Sequence, residues 1–282
     1  MAKANTHKAL AERPAIQMRT TQVRRFERPV PHGGMTERVW YRSTISNKEK
    51  QAVVVLPRGY DGVTRFPVLY VLHGFFGDCD SMLEDGMGII PLVQTLTEHG
   101  LASPMILVFP SMYTSADTDC CKGYTPAESA RYNAFREDLT ECLMPYLAAR
   151  YAIREGRSAA ALAGFSMGGR EALYIGLTRA GTFGAIAAVC PAPGIVPARD
   201  HFMNHPGDLI PSAVRPTGET GPTSILLAGG SDDPVVGTFP QQYHMILTEN
   251  GVPHEWIEVP GGHHDSSTVR PVFARFLRMI FR

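Results

Sequence analysis

The sequence predicts an α/β fold, a mostly parallel eight-stranded sheet with helices on both faces, and three observations predict it. Short apolar runs alternate with amphipathic stretches from Glu37 to the carboxyl terminus. The later runs are largely continuous in apolar residues, as strands covered on both faces must be. A glycine-rich turn, Gly164-Phe165-Ser166-Met167-Gly168, stands between one such run and a helical stretch.

The strands read, in order, as Glu37–Ser46, Ala52–Pro57, Pro67–Leu72, Met105–Phe109, Ala159–Gly164, Ala185–Cys190, Ser224–Ala228 and His254–Val259. The first two alternate apolar with polar residues. They flank the polar stretch Asn47–Lys50, which reads as the turn of an antiparallel hairpin at a sheet edge. Helical spacing places Ile89, Ile90, Leu92, Val93 and Leu96 on one face. It does the same for Phe135, Leu139, Leu143 and Leu147 within one segment from about Ser129 to Tyr151. Further helices start near Met167, Phe239 and Val269. Two long connections, Pro110–Glu128 and Pro191–Pro222, follow the carboxyl ends of strands, where ligands bind in open α/β sheets.

At 282 residues, residues 31–282 read as a single α/β domain after a basic arm at 1–30. The arm holds Lys3, Lys8, Arg13, Arg19, Arg24, Arg25 and Arg28 against Glu12 and Glu27, and is expected to be solvated. Elsewhere charge is balanced: 27 Lys and Arg face 27 Asp and Glu, so neither nucleic acid nor an anionic membrane is an expected partner. No run of 18 apolar residues and no signal-peptide pattern is visible. Five cysteines (Cys79, Cys120, Cys121, Cys142, Cys190) lack CxxC spacing, which argues against zinc and for a reduced, cytoplasmic protein. A single bridge from Cys79 to Cys120 or Cys121 is the one pairing the sequence leaves open.

The glycine-rich turn matches G-x-S-x-G in the strand-turn-helix context that motif requires, the nucleophile elbow of the α/β-hydrolase fold. Small residues two before and two after Ser166 permit the sharp turn, and the following helix directs its positive end at a developing oxyanion. A serine needs a base, and chain order in this fold places the acid and then the histidine downstream. His244 sits within a helix and His254 opens a strand. His201 and His205 have metal-pair spacing, but Pro206 and the lack of a nearby acidic ligand argue against a metal. His263 and His264 follow the last strand and precede the last helix. Asp232 and Asp233 follow the strand Ser224–Ala228. Position does not choose between the members of either pair. The oxyanion donors are expected from the amides of Met167 and of Phe75, in the turn His73–Asp78; His73 is expected to brace that turn.

Beyond the elbow, Leu56–Asp61, Tyr70–Gly74, Tyr132–Tyr146 with Phe135, Asp138-Leu139 and Pro145, and Gly261–Asp265 appear in a fixed order. With them the sequence resembles the esterase D and feruloyl esterase branch of α/β hydrolases, grouped with family 1 carbohydrate esterases. The resemblance covers about four-fifths of the chain. It implies Ser166, Asp233 and His264 as the catalytic set, because the family's G-x-x-D falls on Gly230–Asp233 and its G-G-x-H-D on Gly261–Asp265. The cysteine-bearing loop Thr118–Gly123 has no counterpart in that pattern. Family members cleave hydroxycinnamoyl esters of plant polysaccharides, acetyl-xylan, S-formylglutathione or siderophore trilactones, and relatives transfer mycolyl groups. The feruloyl reading is favoured here because Phe75, Phe76, Met112, Tyr113 and Tyr124 cluster where an aromatic acyl group would lie. The expected partner is a small-molecule or oligosaccharide ester, with room for a homodimer, and no metal or organic cofactor is expected. The rival from another class is a hydrolase fold that only binds.

Overall fold

In the computed structural model, which describes residues 34–83, 87–218, 221–222 and 224–282, all eight expected strands join one sheet. They are β1 (Thr36–Ser43), β2 (Lys48–Val55), β3 (Val68–Leu72), β4 (Ile106–Pro110), β5 (Ala160–Phe165), β6 (Ala185–Val189), β9 (Ser224–Gly230) and β10 (Glu255–Val259). The order is β1-β2-β4-β3-β5-β6-β9-β10; β2 runs antiparallel to β1 and to β4, and the other pairs are parallel. Every residue of β3, β4, β5 and β6 is buried, which is why these strands read as unbroken apolar runs. The last strand departs from that expectation. As the sheet's far edge, β10 is mostly half-buried. The basic arm read at 1–30 lies outside the described residues.

The hairpin turn sits earlier than its polar composition suggested. Thr44–Asn47 make the turn, with Asn47 in the left-handed region at φ 54°, and Lys48–Lys50 belong to β2. Lys50 tolerates a buried strand position because its ammonium donates to Asp138 Oδ2 at 2.7 Å and to Thr114 Oγ1 at 2.6 Å. The Tyr41 hydroxyl donates to the same carboxylate at 2.6 Å. Asp138 also marks where the long predicted helix breaks. That segment is α2 (Pro126–Asn133), α3 (Phe135–Glu137), a π-helical turn at Asp138–Leu143 and α4 (Met144–Arg150). Thr125 caps α2, and Pro145, without an N–H, cannot donate to the preceding turn.

Helices α1 (Ile89–Glu98) and α7 (Ser266–Leu277) cover one face of the sheet; α2 to α4, α5 (Met167–Thr178) and α6 (Phe239–Glu249) cover the other. Their buried stripes form two apolar layers, with Phe273 and Phe276 in one and Phe135 and Tyr243 in the other. The connection after β6 contains a feature that periodicity does not reveal, a two-stranded ribbon of β7 (Ala198–Arg199) and β8 (Asn204–His205). Two-residue strands are too short to show alternation. All five cysteines are free; Cys79 is buried with its sulfur against Arg38, while Cys120 is exposed, so the bridge left open by the sequence is not formed. Among the described residues no helix is long and apolar enough to cross a membrane.

Candidate active site

The turn after β5 is as tight as its glycines require. Ser166 adopts φ 59° and ψ −119°, a conformation rare for a residue with a side chain. A Cβ on Gly164 would lie 2.1 Å from the Gly168 carbonyl oxygen, and one on Gly168 would lie 2.3 Å from that of Leu72. The strained serine is held from three sides. Its N–H donates to Val189 O, and its carbonyl accepts from the amides of Arg170 and Ala192, each at 3.0 Å.

Opposite the serine runs the loop after β3. A Cβ on Gly74 would come within 3.8 Å of Ser166 Oγ, so the backbone of this loop closes over the hydroxyl. His73 braces it, as expected. Its Nε2 accepts the Met112 N–H at 3.0 Å, which leaves Nδ1–H to donate to Gly74 O at 2.7 Å. Burial pushes the imidazole down to about 4, so it stays neutral in this tautomer. Phe76 takes a left-handed φ of 63°, and its N–H donates to the Tyr132 hydroxyl at 3.0 Å. Among the described residues the Phe75 N–H donates to nothing. Met167, the first residue of α5, has no intrahelical acceptor for its own N–H.

The loops after β9 and β10 pack backbone to backbone. A Cβ on Gly230 would sit 2.2 Å from Gly262 O, and Asp232 N–H donates to that same oxygen at 3.0 Å. This contact sets the register of both doubled pairs. The His264 Nδ1–H donates to Asp233 Oδ2 at 2.7 Å, while Asp233 Oδ1 accepts from Val235 and Val236 amides at 2.9 and 3.1 Å. Burial works to raise the Asp233 carboxyl, but the His264 bond and these amides hold it below the usual carboxylate range. His263 and Asp232 are exposed instead. The ring of His263 is bonded to the Asp232 backbone carbonyl at 3.0 Å, and the Asp232 carboxylate accepts from Ser231. Asp265 caps α7.

The imidazole of His264 lies against the ring of Phe165, with centroids 4.4 Å apart, which seats it beside the elbow. Among the described residues the Ser166 hydroxyl makes no hydrogen bond, so serine and histidine are neighbours rather than a bonded pair. Cys190 completes the cluster and was missed by the sequence reading. It follows β6 with φ 45°, is fully buried, and brings its sulfur within 4.8 Å of ligand atoms of Asp233 and His264. Burial, then the Asp233 charge, push its thiol up, so it is held protonated beside the carboxylate. The signal was its position at a strand's carboxyl end, which counting cysteines ignores.

The aromatic residues divide in two. Phe75 stacks on Tyr124 at 5.0 Å and 22°, Tyr124 stacks on Phe202 at 4.3 Å and 21°, and Phe76 meets Tyr124 edge-on at 4.9 Å. Phe76, Tyr124 and Phe202 are 49%, 40% and 39% exposed, so the row is open to solvent, and it starts from the same loop whose Gly74 backbone lies over Ser166. Met112 and Tyr113, at 0% and 7%, are buried and stand apart from this open row. Met112 is core, and the Tyr113 hydroxyl is engaged with Glu128 and Arg131. Phe202 escaped the sequence reading because it sits in the β7–β8 turn, where the Asp200 carboxylate accepts from its amide. Asp200 also bonds His205 at 3.0 Å, so the acidic neighbour thought missing there exists and braces the turn. The connection is tied down by Arg170, whose guanidinium donates to Asp208, Glu171 and Gly194 O.

Comparison with known proteins shows the family and the fold. The family described as “Putative esterase” matches residues 43–267. The CE1 ferulic acid esterase of Anaeromyces mucronatus, solved in complex with ferulic acid, is 37% identical and superposes with a TM-score of 0.85 over 91% of this chain and 94% of that one. An endo-1,4-beta-xylanase/feruloyl esterase of Xylanibacter ruminicola is 29% identical over 164 residues, 56% of this chain; the chain spans about a fifth of that relative's length, 22%. An S-formylglutathione hydrolase of Staphylococcus aureus, at 18% identity and a TM-score of 0.62 over 88% of this chain and 97% of that one, shares the fold.

Proposed function

We propose a mechanism and a substrate from one premise: the chain belongs to the esterase family and is a carboxylic ester hydrolase of the α/β-hydrolase fold. In this reading Ser166 Oγ attacks the ester carbonyl and His264 Nε2 takes its proton. Asp233 keeps the imidazole in the Nδ1–H tautomer and stabilises the cation that forms. The amides of Phe75 and Met167 bind the oxyanion as the carbonyl becomes tetrahedral. The imidazolium returns the proton to the leaving alcohol, and water, activated by the same histidine, then frees the acid from the acyl-serine. No step calls for a metal or organic cofactor.

The substrate is a hydroxycinnamoyl ester, with ferulate as the acyl group. The observation that carries this is the open row Phe76–Tyr124–Phe202, an aromatic surface for a planar aryl ring that starts from the loop whose Gly74 lies over Ser166. The 37% identity to a ferulic acid esterase supports it. An acetyl or formyl group would leave that row unused. A panel of methyl ferulate, acetylated xylan, an aryl acetate, a siderophore trilactone and S-formylglutathione tests the choice; methyl ferulate is expected to show the highest kcat/KM. A fluorophosphonate probe should label Ser166 and no residue in Ser166→Ala. Absence of labelling in the wild type would turn the reading to a hydrolase fold that only binds.

A further inference from the structure

The turn that follows β6 holds Ser166 by its backbone and faces Asp233 with a side chain. Val189 O accepts the Ser166 N–H, and the Ala192 N–H donates to Ser166 O, each at 3.0 Å. Cys190 stands between these two anchors, its own N–H tied to Ala228 O of β9 at 2.8 Å. Its φ of 45° lies in the left-handed region that favours glycine. A side chain is present there nonetheless. It is fully buried, and its sulfur lies within 4.8 Å of ligand atoms of both Asp233 and His264. The mechanism above makes no use of it.

The surroundings of Asp233 give a thiol something to do. Oδ2 accepts from His264 Nδ1–H, and Oδ1 accepts from the amides of Val235 and Val236. A carboxylate offers about four lone-pair sites, so these donors leave one of them open. The Asp233 side chain is only 1% exposed, and solvent is not at hand to fill that site. An acceptor left short of a donor in such a place is unfavourable, and the carboxylate is less firmly held against rotation. The Cys190 thiol has a proton to give, because burial and then the Asp233 charge keep it protonated. Asp265 is the other carboxylate that faces the sulfur, and it is engaged by the Ser267 amide at 2.7 Å. Asp233 is therefore the better acceptor.

We propose that Cys190 is a positioning residue: its S–H donates to the Asp233 carboxylate and holds it against rotation, so that Oδ2 stays aimed at His264 while the imidazole becomes charged. The catalytic consequence rests on the roles given above to Ser166, His264 and Asp233, whereas the bond itself can be read without turnover. Cys190→Ala removes the donor and Cys190→Ser restores one. Serine is smaller than cysteine and its hydroxyl is costlier to bury unpaired, so packing alone would make Ser no better than Ala. With methyl ferulate, kcat should fall by severalfold to about tenfold in Cys190→Ala, with KM nearly unchanged, and Cys190→Ser should recover most of the loss. The proton between His264 and Asp233 gives a far-downfield proton NMR resonance, identified by its disappearance in His264→Ala. That resonance should shift and exchange faster with water in Cys190→Ala, and return toward its wild-type position in Cys190→Ser. If Cys190→Ala does not fold, Cys190→Gly, which suits the left-handed backbone, takes its place. An unchanged resonance, an unchanged kcat, a loss seen in KM instead, or a Ser variant no closer to wild type than Ala overturns the role. If the resonance follows the expected order while Ser166→Ala still hydrolyses methyl ferulate, the catalytic reading falls and the hold of Cys190 on Asp233 stands.

Discussion

His264 donates through Nδ1 to Asp233 Oδ2 at 2.7 Å, whereas its neighbour His263 reaches only the backbone carbonyl of Asp232. A one-residue offset therefore separates a half-buried imidazole paired with a buried carboxylate from two exposed side chains that do not pair with each other. His264→Ala should lower turnover by a factor of about 10⁴ or more, and Asp233→Asn by a similar factor through the wrong tautomer. His263→Ala and Asp232→Asn should stay within about tenfold of wild type. Rates and melting temperatures of the four variants, measured together, decide it; an active His264→Ala with a dead His263→Ala would move the base by one residue.

The aromatic row predicts where specificity resides. Phe202→Ala and Tyr124→Ala each remove a stacked ring from an exposed surface, so folding should be little affected. An aromatic contact beyond plain burial is worth about 0.5–1.5 kcal/mol. Each variant should thus lower kcat/KM for methyl ferulate by severalfold to about tenfold and leave an aryl acetate nearly unchanged. Equal losses on both esters would place the row outside acyl recognition.

The contrast between Phe202 and Ser166 shows what could be read without coordinates. Ser166 was legible because its role demands local grammar: a buried strand, small residues at Gly164 and Gly168, then a helix. The inner strands β3 to β6 were legible for a similar reason, since burial on both faces leaves no room for polar residues, whereas β1 and β2 were legible from their alternation. Phe202 and Cys190 were not, because their neighbours are set by tertiary packing of loops far apart in sequence. Choosing His264 over His263 needed either the family pattern or the Gly230–Gly262 backbone contact, which no periodicity encodes. The polar run Asn47–Lys50 misled because burying Lys50 depends on Asp138, 88 residues away.

Thiol reactivity should follow burial. All five cysteines are free, but Cys79, Cys142 and Cys190 are buried and only Cys120 is exposed. The protein purified without reductant should titrate as five thiols after unfolding, whereas the native form should react rapidly at Cys120 and more slowly at Cys121. Cys190, whose thiol is held protonated beside Asp233, should resist alkylation until the protein unfolds. Mass mapping of a timed alkylation checks the order, and early modification of Cys190 would contradict its packing.

Two buried groups pull the acid stability of the fold in opposite directions. His73 is pushed by burial from 6.5 down to about 4, so between these values an unfolded chain binds a proton that the folded one refuses. Its contribution to stability is present above pH 6.5 and is lost as pH falls toward 4. Glu171 is raised by burial, despite the Arg170 guanidinium beside it, from 4.5 to about 7. The folded chain keeps that proton while the unfolded one releases it, so this contribution is present below 4.5 and is lost as pH rises through 7. Each shift corresponds to roughly 3 kcal/mol over its window. From about pH 6.5 to 4.5 the two slopes oppose each other, and wild type should show a shallow dependence there. Glu171→Gln removes one of them while keeping a side chain that can accept from Arg170. Its melting temperature should therefore fall more steeply than that of wild type as pH is lowered from 6.5 to 4.5. Parallel curves for the two proteins would mean that Glu171 remains ionised in the fold, with Arg170 outweighing burial.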